Sequence, residues 1–456
     1  MDDGRTAVTA ADGSSPVVRV MARLAGEGVR LVAMSWVDNA GISRLKAVPL
    51  SRLPGVASRG VGVSPAFDAF LVDDSMACED GCGSRTGDLR LVPDLSRLTA
   101  LAAQPGWAWA PADRFRQGGE RHPGCHRAFV DRMTRAAADR GLSLRMGFET
   151  EWTVDPGRLG DGPAYGLARL ADSGAYLLDI VDALAAQGVE VLQIHPEYEP
   201  GQFEVSTVAE DPLGAADTAV LVRHTVRTLS LGRGLRASFA PLATTAGVGN
   251  GGHVHLSLWR DEENLLHAGQ GPHGMTATGE AFLAGVLRSL PALTAVGCPT
   301  PASYLRLVPS VWAGAYRCWG LENREAALRF ITGAAGEGGA GANAEVKCFD
   351  QAANPYLVVG SLLAAGLAGV EEDLRLPDGY GNDPARADAD ERARCAIERL
   401  PDSLQEAVRH FERSAVLREA MGDHMFGAVL AVRRREQQLF ADHTRADVVE
   451  ATRWRY

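Results

Sequence analysis

The chain has 456 residues, of which 46% are hydrophobic and 23% charged, and its formal net charge is −11. This length exceeds the roughly 250–300 residues at which a single hydrophobic core stops growing, so two domains are expected. The acidic balance argues against nucleic acid and anionic membrane surfaces as partners, and it suits cationic ligands such as metal ions and amines.

The cysteines and the N-terminus indicate an intracellular protein. Seven cysteines form an odd and scattered set in a long chain, which favours free thiols over a disulfide framework. Cys78 and Cys82 are close together but lack the second pair that a zinc site needs. The first residues carry no apolar signal segment, and no apolar run reaches the ~20 residues that span a bilayer. We therefore expect a soluble, cytoplasmic protein whose residues 1–16 form a disordered tail.

The N-terminal part predicts a small domain of mixed structure. An amphipathic helix is expected at 17–28, and strands are expected at 31–36, 43–48 and 89–92. Asp38-Asn39-Ala40-Gly41 separates the first two strands and is typical of a hairpin turn. Residues 74–88 are rich in Gly, Asp and Ser and predict a loop. The pattern changes after residue 115, where we place the domain boundary.

The remainder, 116–456, predicts strands that alternate with helices. Helices are expected at 126–140, 175–187, 211–234, 277–296, 355–373 and 402–419. Gly333–Ala344 consists almost entirely of Gly and Ala, which predicts a mobile loop.

Four strand-like segments of this part place polar side chains on one face and apolar ones on the other. The polar faces carry Glu149 and Glu151, then Gln202 and Glu204, then His253, His255 and Ser257, and finally Glu345 and Lys347. Any one of these segments is also typical of an ordinary half-exposed strand. Together they would gather carboxylates that repel one another unless cations neutralise them. Oxygen-rich ligands with one imidazole suit Mg²⁺ or Mn²⁺ rather than zinc.

The same segments belong to longer motifs between residues 30 and 440. These are Gly147-Phe148-Glu149-Thr150-Glu151, His195-Pro196-Glu197 with Pro200-Gly201-Gln202-Phe203-Glu204, Gly249-Asn250-Gly251-Gly252-His253-Val254-His255-Leu256-Ser257, Asn323-Arg324 with Arg329, and Glu345 and Asp350 with Ala353-Asn354-Pro355-Tyr356-Leu357. In content, order and spacing they resemble the glutamine synthetase family. The resemblance implies an α+β fold, with a β-grasp N-terminal domain at 17–115 and a catalytic domain at 116–456 built on a curved antiparallel sheet flanked by helices. It also implies ring homo-oligomers, usually dodecamers, in which the neighbouring N-terminal domain completes each site.

The resemblance further implies a role for each matched residue. One metal would be held by Glu151, Glu197 and Glu204, and a second by Glu149, His253 and Glu345. ATP would be bound by His255, Ser257, Arg324 and Arg329. The acid and the amine would be bound by Gly249, Arg306, Trp312, Lys347 and Tyr165, with Arg306 on the substrate carboxylate. The catalytic set would be Asp68, Asp88, Arg324 and Glu197, with Asp68 or Asp88 taking the proton of the amine in a neighbouring subunit.

Five positions depart from the family pattern, mainly at the substrate end. Trp312 stands where the family has a mobile-loop glutamate, Lys347 and Asn343 where it has arginines, Val248 where it has an asparagine, and Glu398 where some bacterial members have an adenylylated tyrosine. Loss of the glutamate removes a charge that would favour ammonium, and the indole adds a flat apolar wall.

Similar sequences include γ-glutamyl ligases for ethanolamine, polyamines and other amines. The resemblance therefore implies an ATP-dependent ligase that joins glutamate to an organic amine through an acyl phosphate. Two alternatives remain. One is a true glutamine synthetase that uses ammonia, with Trp312 merely packed under a loop. The other is a non-catalytic structural relative, against which the six intact metal positions argue.

Overall fold

A computed structural model describes residues 16–77, 86–155, 159–337 and 339–456. The predicted tail, apart from Pro16, lies outside these residues, as do Cys78 and Cys82. Within the described part, the chain builds two sheets, one from each half of the sequence.

The N-terminal sheet has six strands. They are β1 (Leu31–Val37), β2 (Ser43–Pro49), β3 (Val61–Val63), β4 (Leu89–Pro93), β5 (Thr99–Ala100) and β6 (Trp107–Phe115). Their order is β2-β1-β6-β4-β3, with β5 also on β6, and only the β1–β6 pair is parallel. Helices α1 (Pro16–Gly26) and α2 (Leu53–Arg59) bury Leu24 and Leu53 in a core with Val32 and Ala108 of the sheet.

The predicted hairpin turn between β1 and β2 is confirmed. The Gly41 amide donates to the Asp38 carbonyl over 3.1 Å, and Gly41 has a φ of 84°. Glycine adopts this left-handed conformation without steric cost.

The second sheet has ten strands. They are β7 (Ser143–Val154), β8 (Val191–Pro196), β9 (Gln202–Thr207), β10 (Ala237–Ser238), β11 (Val254–Arg260), β12 (Glu263–Asn264), β13 (Tyr316–Leu321), β14 (Ala326–Ile331), β15 (Asn343–Val346) and β16 (Glu398–Arg399). The order is β16-β13-β14-β15-β11-β7-β9-β8, with β10 on β7 and β12 on β11. The sheet is antiparallel, as predicted, except that β13 and β14 run parallel.

Ten α-helices in the described part of the chain accompany this sheet. They are α3 (His126–Ala138), α4 (Leu167–Ala186), α5 (Pro212–Gly232), α6 (Ala277–Gly297), α7 (Pro301–Arg306), α8 (Pro355–Glu371), α9 (Ala389–Arg394), α10 (Leu404–Glu412), α11 (Ala415–Leu439) and α12 (Arg445–Thr452). Helices α3 and α5 contact β7, and α4 contacts β8, so the apolar strand faces are covered while the polar faces point the other way. Helix α6 is long and apolar enough to cross a membrane, but 89% of its apolar window is buried within the protein, as in a core helix.

The predicted helix at 402–419 is wrong in its extent. Helix α10 ends at Glu412, and α11 starts afresh because the Ser414 hydroxyl caps it by accepting from the Leu417 amide over 3.2 Å. Strands β13 and β14 were not predicted, since their sequences YRCWGL and AALRFI lack a strict alternation of polar and apolar residues. The Gly- and Ala-rich stretch joins β14 to β15, and its mobility stays a prediction.

Candidate active site

Strand register aligns the polar side chains in two rows across the large sheet. In one row, Glu204 of β9 lies opposite Glu151 of β7 on one side and His195 of β8 on the other. In the other row, Glu345 of β15 lies opposite His255 of β11. Side chains directly opposite in antiparallel pairs have Cβ atoms about 4.5–5.5 Å apart. Motifs that are far apart in the sequence therefore converge on one face.

The first cluster on this face joins Glu149, His253 and Glu345. The Nδ1 atom of His253 lies 3.0 Å from Oε2 of Glu149 and 3.2 Å from Oε1 of Glu345. Lys347 Nζ lies 2.9 Å from the same Glu345 oxygen. Burial opposes the charge of Glu345, but Lys347 and His253 outweigh it and lower its pKa to about 2. Burial likewise opposes the charge of His255, but its contact with Glu149 raises its pKa to about 9. The carboxylates of this cluster are thus ionised.

The second cluster joins Glu151, Glu197 and Glu204. Glu151 Oε2 accepts from the Gly251 amide over 2.9 Å and from Gln202 Nε2 over 3.0 Å. Burial and repulsion from Glu151 raise the pKa of Glu197 to about 7, and burial also raises the pKa of Glu204. These shifts mark carboxylates that lack sufficient positive charge. A hard divalent cation would supply that charge, so these residues fit a metal site.

His195 lies between two members of the second cluster. Its Nε2 is 3.4 Å from Glu204 Oε1, and its Nδ1 is 3.6 Å from Glu197 Oε1. The contact with Glu204 raises the pKa of His195 to about 9. Sequence reasoning gave His195 no role, although Gln193 and His195 alternate on β8 and Glu197 follows that strand at the same spacing. The period-two pattern that identified the other four segments would have identified β8 as well.

Two glycines before β11 allow the backbone to pack closely beside the clusters. A Cβ on Gly251 would lie 2.4 Å from His253 Nε2 and 2.7 Å from Glu151 Oε1. A Cβ on Gly249 would lie 2.0 Å from the Pro241 carbonyl. The glycine-rich segment before β11 is therefore required by close packing against the site.

A cavity of about 670 Å³ is lined by members of both clusters, although Glu345 is not among its described lining residues. Twelve of the predicted site residues line it: Glu149, Glu151, Tyr165, Glu197, Glu204, Gly249, His253, Arg306, Trp312, Arg324, Arg329 and Lys347. Within it, the Tyr165 hydroxyl donates to Glu197 Oε2 over 2.7 Å. The cavity is large enough for a drug-sized ligand.

A second cavity of about 450 Å³ adjoins the first. It is lined by His255 and Ser257, and the two cavities share Glu149 and Gln193. The predicted ATP ligands thus divide between the two spaces, with Arg324 and Arg329 in the first. An elongated substrate such as a nucleotide could extend from one cavity into the other.

Trp312 forms part of the wall of the larger cavity. Its side chain is 48% exposed, and its ring meets that of Tyr198 edge to face at a centroid distance of 6.3 Å. Tyr198, also on the cavity wall, was missed by the sequence reasoning. The expectation that Trp312 merely packs under a loop is therefore wrong.

Neither predicted amine base is among the described residues that line this cavity. Asp68 is buried and ion-paired with Arg114, and its other oxygen lies 3.3 Å from His424 Nε2. Burial opposes its charge, but Arg114 outweighs burial and holds the pKa of Asp68 well below its usual range. A carboxylate held in this way is a poor proton acceptor. Asp88 is exposed and lies beside Gly62.

Comparison with protein families decides the class of this site. The glutamine synthetase catalytic domain profile matches residues 123–452, and the N-terminal domain profile matches residues 16–121. The chain belongs to the glutamine synthetase family. It is a ligase of that family, as predicted, and the predicted fold class is confirmed. The assignment of residues 115 and 116 to different domains stays a prediction.

Relatives and solved structures agree with the family over nearly the whole chain. The chain is 51% identical over 442 residues to the gamma-glutamylpolyamine synthetase GlnA3 of Streptomyces coelicolor, and the match covers 95% of each chain. It is 28% identical to a glutamine synthetase of Clostridium saccharobutylicum, with 89% of this chain and 91% of that one covered. A solved glutamine synthase homologue superposes with a TM-score of 0.85 at 33% identity, covering 94% of this chain and 99% of that chain. A GmaS–ADP complex superposes with a TM-score of 0.81 at 27% identity, covering 93% and 97%.

Proposed function

We propose that this protein is an ATP-dependent ligase that joins the γ-carboxylate of glutamate to an organic amine, with polyamines as the leading substrate class. The observation that carries the proposal is a cavity that gathers five of the six proposed metal ligands and two of the proposed ATP ligands and presents Trp312 on its wall. The similarity to a gamma-glutamylpolyamine synthetase supports the same substrate class.

The donor chemistry supports two divalent cations, Mg²⁺ or Mn²⁺. One would be held by Glu151, Glu197 and Glu204, and the other by Glu149, His253 and Glu345. Bound there, the ions would supply positive charge to the phosphates of ATP and to the migrating phosphoryl group.

The residues of the chain would position the reactants. Arg324 and Arg329, with His255 and Ser257 in the adjoining cavity, would bind ATP, while Arg306 and Gly249 would hold the amino acid. An oxygen of the γ-carboxylate of glutamate then attacks the γ-phosphorus of ATP. ADP departs as the leaving group, and the product is an acyl phosphate. The amine nitrogen attacks the acyl carbon, and phosphate departs. A free carboxylate is a poor acylating agent, because it has no good leaving group. Phosphorylation provides one, and the amine can then form the amide bond.

The amine arrives as a cation and must lose a proton before it attacks. We propose Asp88 of a neighbouring subunit as the acceptor, because Asp68 is already neutralised by Arg114. This assignment requires a ring homo-oligomer, in which each site is completed by the small domain of another copy. Tyr165 and Lys347 would line the acid and amine end, with Tyr165 holding Glu197 in place.

The test is steady-state kinetics with ethanolamine, a diamine, a triamine and ammonium, following ADP release and detecting the product by mass. We expect kcat/KM for at least one organic amine to exceed that for ammonium. Trp312→Glu should narrow this preference by about 2- to 30-fold, since a cation–π contact contributes about 0.5–2 kcal/mol.

Leu178→Glu is the matched control, because Leu178 is an exposed apolar residue of α4 that does not line the cavity. A preference of the wild-type protein for ammonium over every amine would favour a true glutamine synthetase instead. Absence of ADP release with all acceptors would favour a non-catalytic relative.

A further inference from the structure

Residues 308–313, which we call the Trp312 segment, carry an unusual backbone. Ser310 and Trp312 both have a φ of 60°, in the left-handed region that bulky residues rarely adopt. Such a conformation persists only where the surroundings hold it. The segment supplies Ser310, Val311, Trp312 and Ala313 to the wall of the larger cavity.

Glu325 is the principal group that holds this segment. Its Oε1 accepts a hydrogen bond from the Trp312 backbone amide over 2.9 Å, and its carboxylate also accepts from the Ser310 backbone. Its own amide donates to Asn323 Oδ1 over 3.0 Å, which fixes the backbone that carries the carboxylate. Asn323 Nδ2 in turn donates to the Tyr380 carbonyl over 2.8 Å.

Two further contacts hold the Trp312 segment on its other sides. The Ser310 hydroxyl donates to Asp383 Oδ2 over 2.8 Å, and the Tyr198 ring meets the Trp312 indole. The segment is thus tied to three separate parts of the chain. Among the described residues, Glu325 is the one whose side chain hydrogen-bonds the Trp312 backbone. Glu325 itself is absent from the described lining of the cavity, whereas its neighbour Arg324 belongs to it.

We propose that Glu325 is a positioning residue for amine specificity, which acts by holding Trp312 as a preformed wall of the amine end. The inference rests on the proposed function, because it assigns Trp312 to the amine. A wall that is already in place costs no ordering free energy when the amine binds, so its loss should raise the KM for the amine and leave the KM for ATP unchanged.

Two variants separate a hydrogen-bonding role from a charge role. Glu325→Gln keeps an oxygen acceptor for the Trp312 amide, and Glu325→Ala removes it. We expect Glu325→Ala to raise the KM of the preferred amine about tenfold, the effect of one charge-assisted hydrogen bond, and Glu325→Gln to stay near wild type. Glu412→Ala is the control, since Glu412 is an exposed glutamate at the end of α10 that is ion-paired with Arg434 and absent from the described lining of the cavity. If Glu325→Gln loses as much as Glu325→Ala, the charge binds the amine directly and the positioning role is overturned.

A double-mutant cycle tests whether Glu325 acts through Trp312. The Glu325→Ala/Trp312→Ala protein should have the same amine KM as Trp312→Ala alone, and additive losses would contradict the proposal.

Hydrogen exchange of the substrate-free protein provides a reading that needs no amine. Glu325→Ala should accelerate exchange of the Trp312 amide, and Glu325→Gln should not. Unchanged exchange in Glu325→Ala overturns the inference. Faster exchange in a protein that turns over no organic amine supports the anchor and refutes the proposed substrate class.

Discussion

Glu345 and Glu197 show how neighbouring residues set the charge of the site. Both side chains are buried, and yet their pKa values shift in opposite directions. Lys347 lies 2.9 Å from Glu345 and lowers its pKa to about 2 against the effect of burial. Glu197 faces Glu151 instead, so burial and repulsion raise its pKa to about 7. The Glu345 cluster includes the positive charge of Lys347, whereas His195 does not offset the burial and repulsion that act on Glu197, and a bound cation would.

Glu204 belongs to the cluster that lacks positive charge, and its loss should separate metal binding from folding. We expect Glu204→Ala to fold, to melt in EDTA at a temperature no lower than the wild type, and to lose ATP-dependent product formation. Removing a crowded carboxylate relieves repulsion, but it also removes a proposed metal ligand. Melting curves with and without Mn²⁺ measure this, since the wild type should be stabilised by Mn²⁺ and the variant much less.

Glu190→Ala serves as the control for Glu204→Ala, because Glu190 is an exposed glutamate directly before β8 that is absent from the described lining of both cavities. Turnover near the wild-type rate in Glu204→Ala would contradict the two-metal assignment.

Family resemblance and strand periodicity pointed to a set of metal ligands, whose role stays a prediction, but they did not indicate the partners that control the charge of the site residues. The pairing of Asp68 with Arg114 joins residues 46 positions apart in the sequence, and only the folded N-terminal sheet reveals it. The anchoring of Trp312 by Glu325 depends on a left-handed turn that no alternation of residues encodes.

Among the elements, the start of helix α8 joins the two halves of the molecule. The Asn354 side chain caps the helix by accepting from the Tyr356 amide over 3.0 Å. Its Nδ2 donates to the carbonyls of Val37 and Asp38, at 3.2 and 3.0 Å, in the hairpin of the N-terminal sheet. The sequence pattern Asn354-Pro355 predicts a helix start through capping, but its second function needs the N-terminal hairpin to be in place.

The hairpin turn itself packs tightly against this joint. A Cβ on Gly41 would lie 1.8 Å from the Ala352 carbonyl, and the φ of 84° already disfavours a side chain. Gly28 has a similar φ of 80° but no atom within 4 Å of a built Cβ, which makes it a matched control. We expect Gly28→Ala to cost about 1–2 kcal/mol from backbone strain alone. Gly41→Ala should cost about 1–3 kcal/mol more through the clash. Denaturant unfolding measures the free energy of unfolding of both variants. Equal losses of stability in the two variants would show that the close contact between Gly41 and Ala352 contributes nothing to the difference.

Helix α11 carries a buried carboxylate at the same junction. Glu436 Oε1 accepts from the Val72 amide over 3.1 Å, and burial raises the pKa of Glu436 from 4.5 to about 7 although Arg433 is nearby. A raised pKa in the folded state means that its contribution to stability is complete below about pH 4.5 and is lost as the pH rises through about 7.

Glu436→Gln should therefore flatten the decline of the melting temperature between pH 5 and 8. The amide oxygen can still accept from Val72, so the variant should be more stable than the wild type at pH 8 by about 1–3 kcal/mol. Asp38, Asp73, Arg433 and Tyr456 also act on this group, and their combined field sets where the transition falls. An unchanged pH slope in Glu436→Gln would assign the decline to other groups.

Over the whole molecule, these contacts fix the small domain on the catalytic domain of the same chain. Besides Asn354, the Arg433 guanidinium donates to the Asn39 carbonyl over 2.7 Å. In this arrangement Asp88 is exposed and is absent from the described lining of the cavity in its own subunit. An aspartate that completes a site must then complete the site of another copy. Sequence motifs predicted the fold class, which is confirmed, and a metal set that stays a prediction, whereas the location of Asp88 required the folded chain.

Mixing inactive subunits tests this shared site. Asp88→Ala removes the proposed proton acceptor from the small domain, and Glu204→Ala removes a proposed metal ligand from the large one, so each homo-oligomer should be inactive or nearly so. In a randomly mixed ring, a site that pairs an intact catalytic domain with an intact neighbouring Asp88 should occur in about a quarter of positions, because each partner is drawn independently. Activity should therefore recover towards about a quarter of the wild-type rate after the two proteins are dissociated and reassembled together.

Asp88 is preferred over Asp68 for this experiment because Asp68→Ala would leave Arg114 buried without its counter-ion and could unfold the small domain. Light scattering must show that the mixed sample forms rings of the same size as the wild type. A mixed sample that is no more active than the separate variants would contradict a site shared between subunits. A monomer that is fully active in solution would contradict it as well.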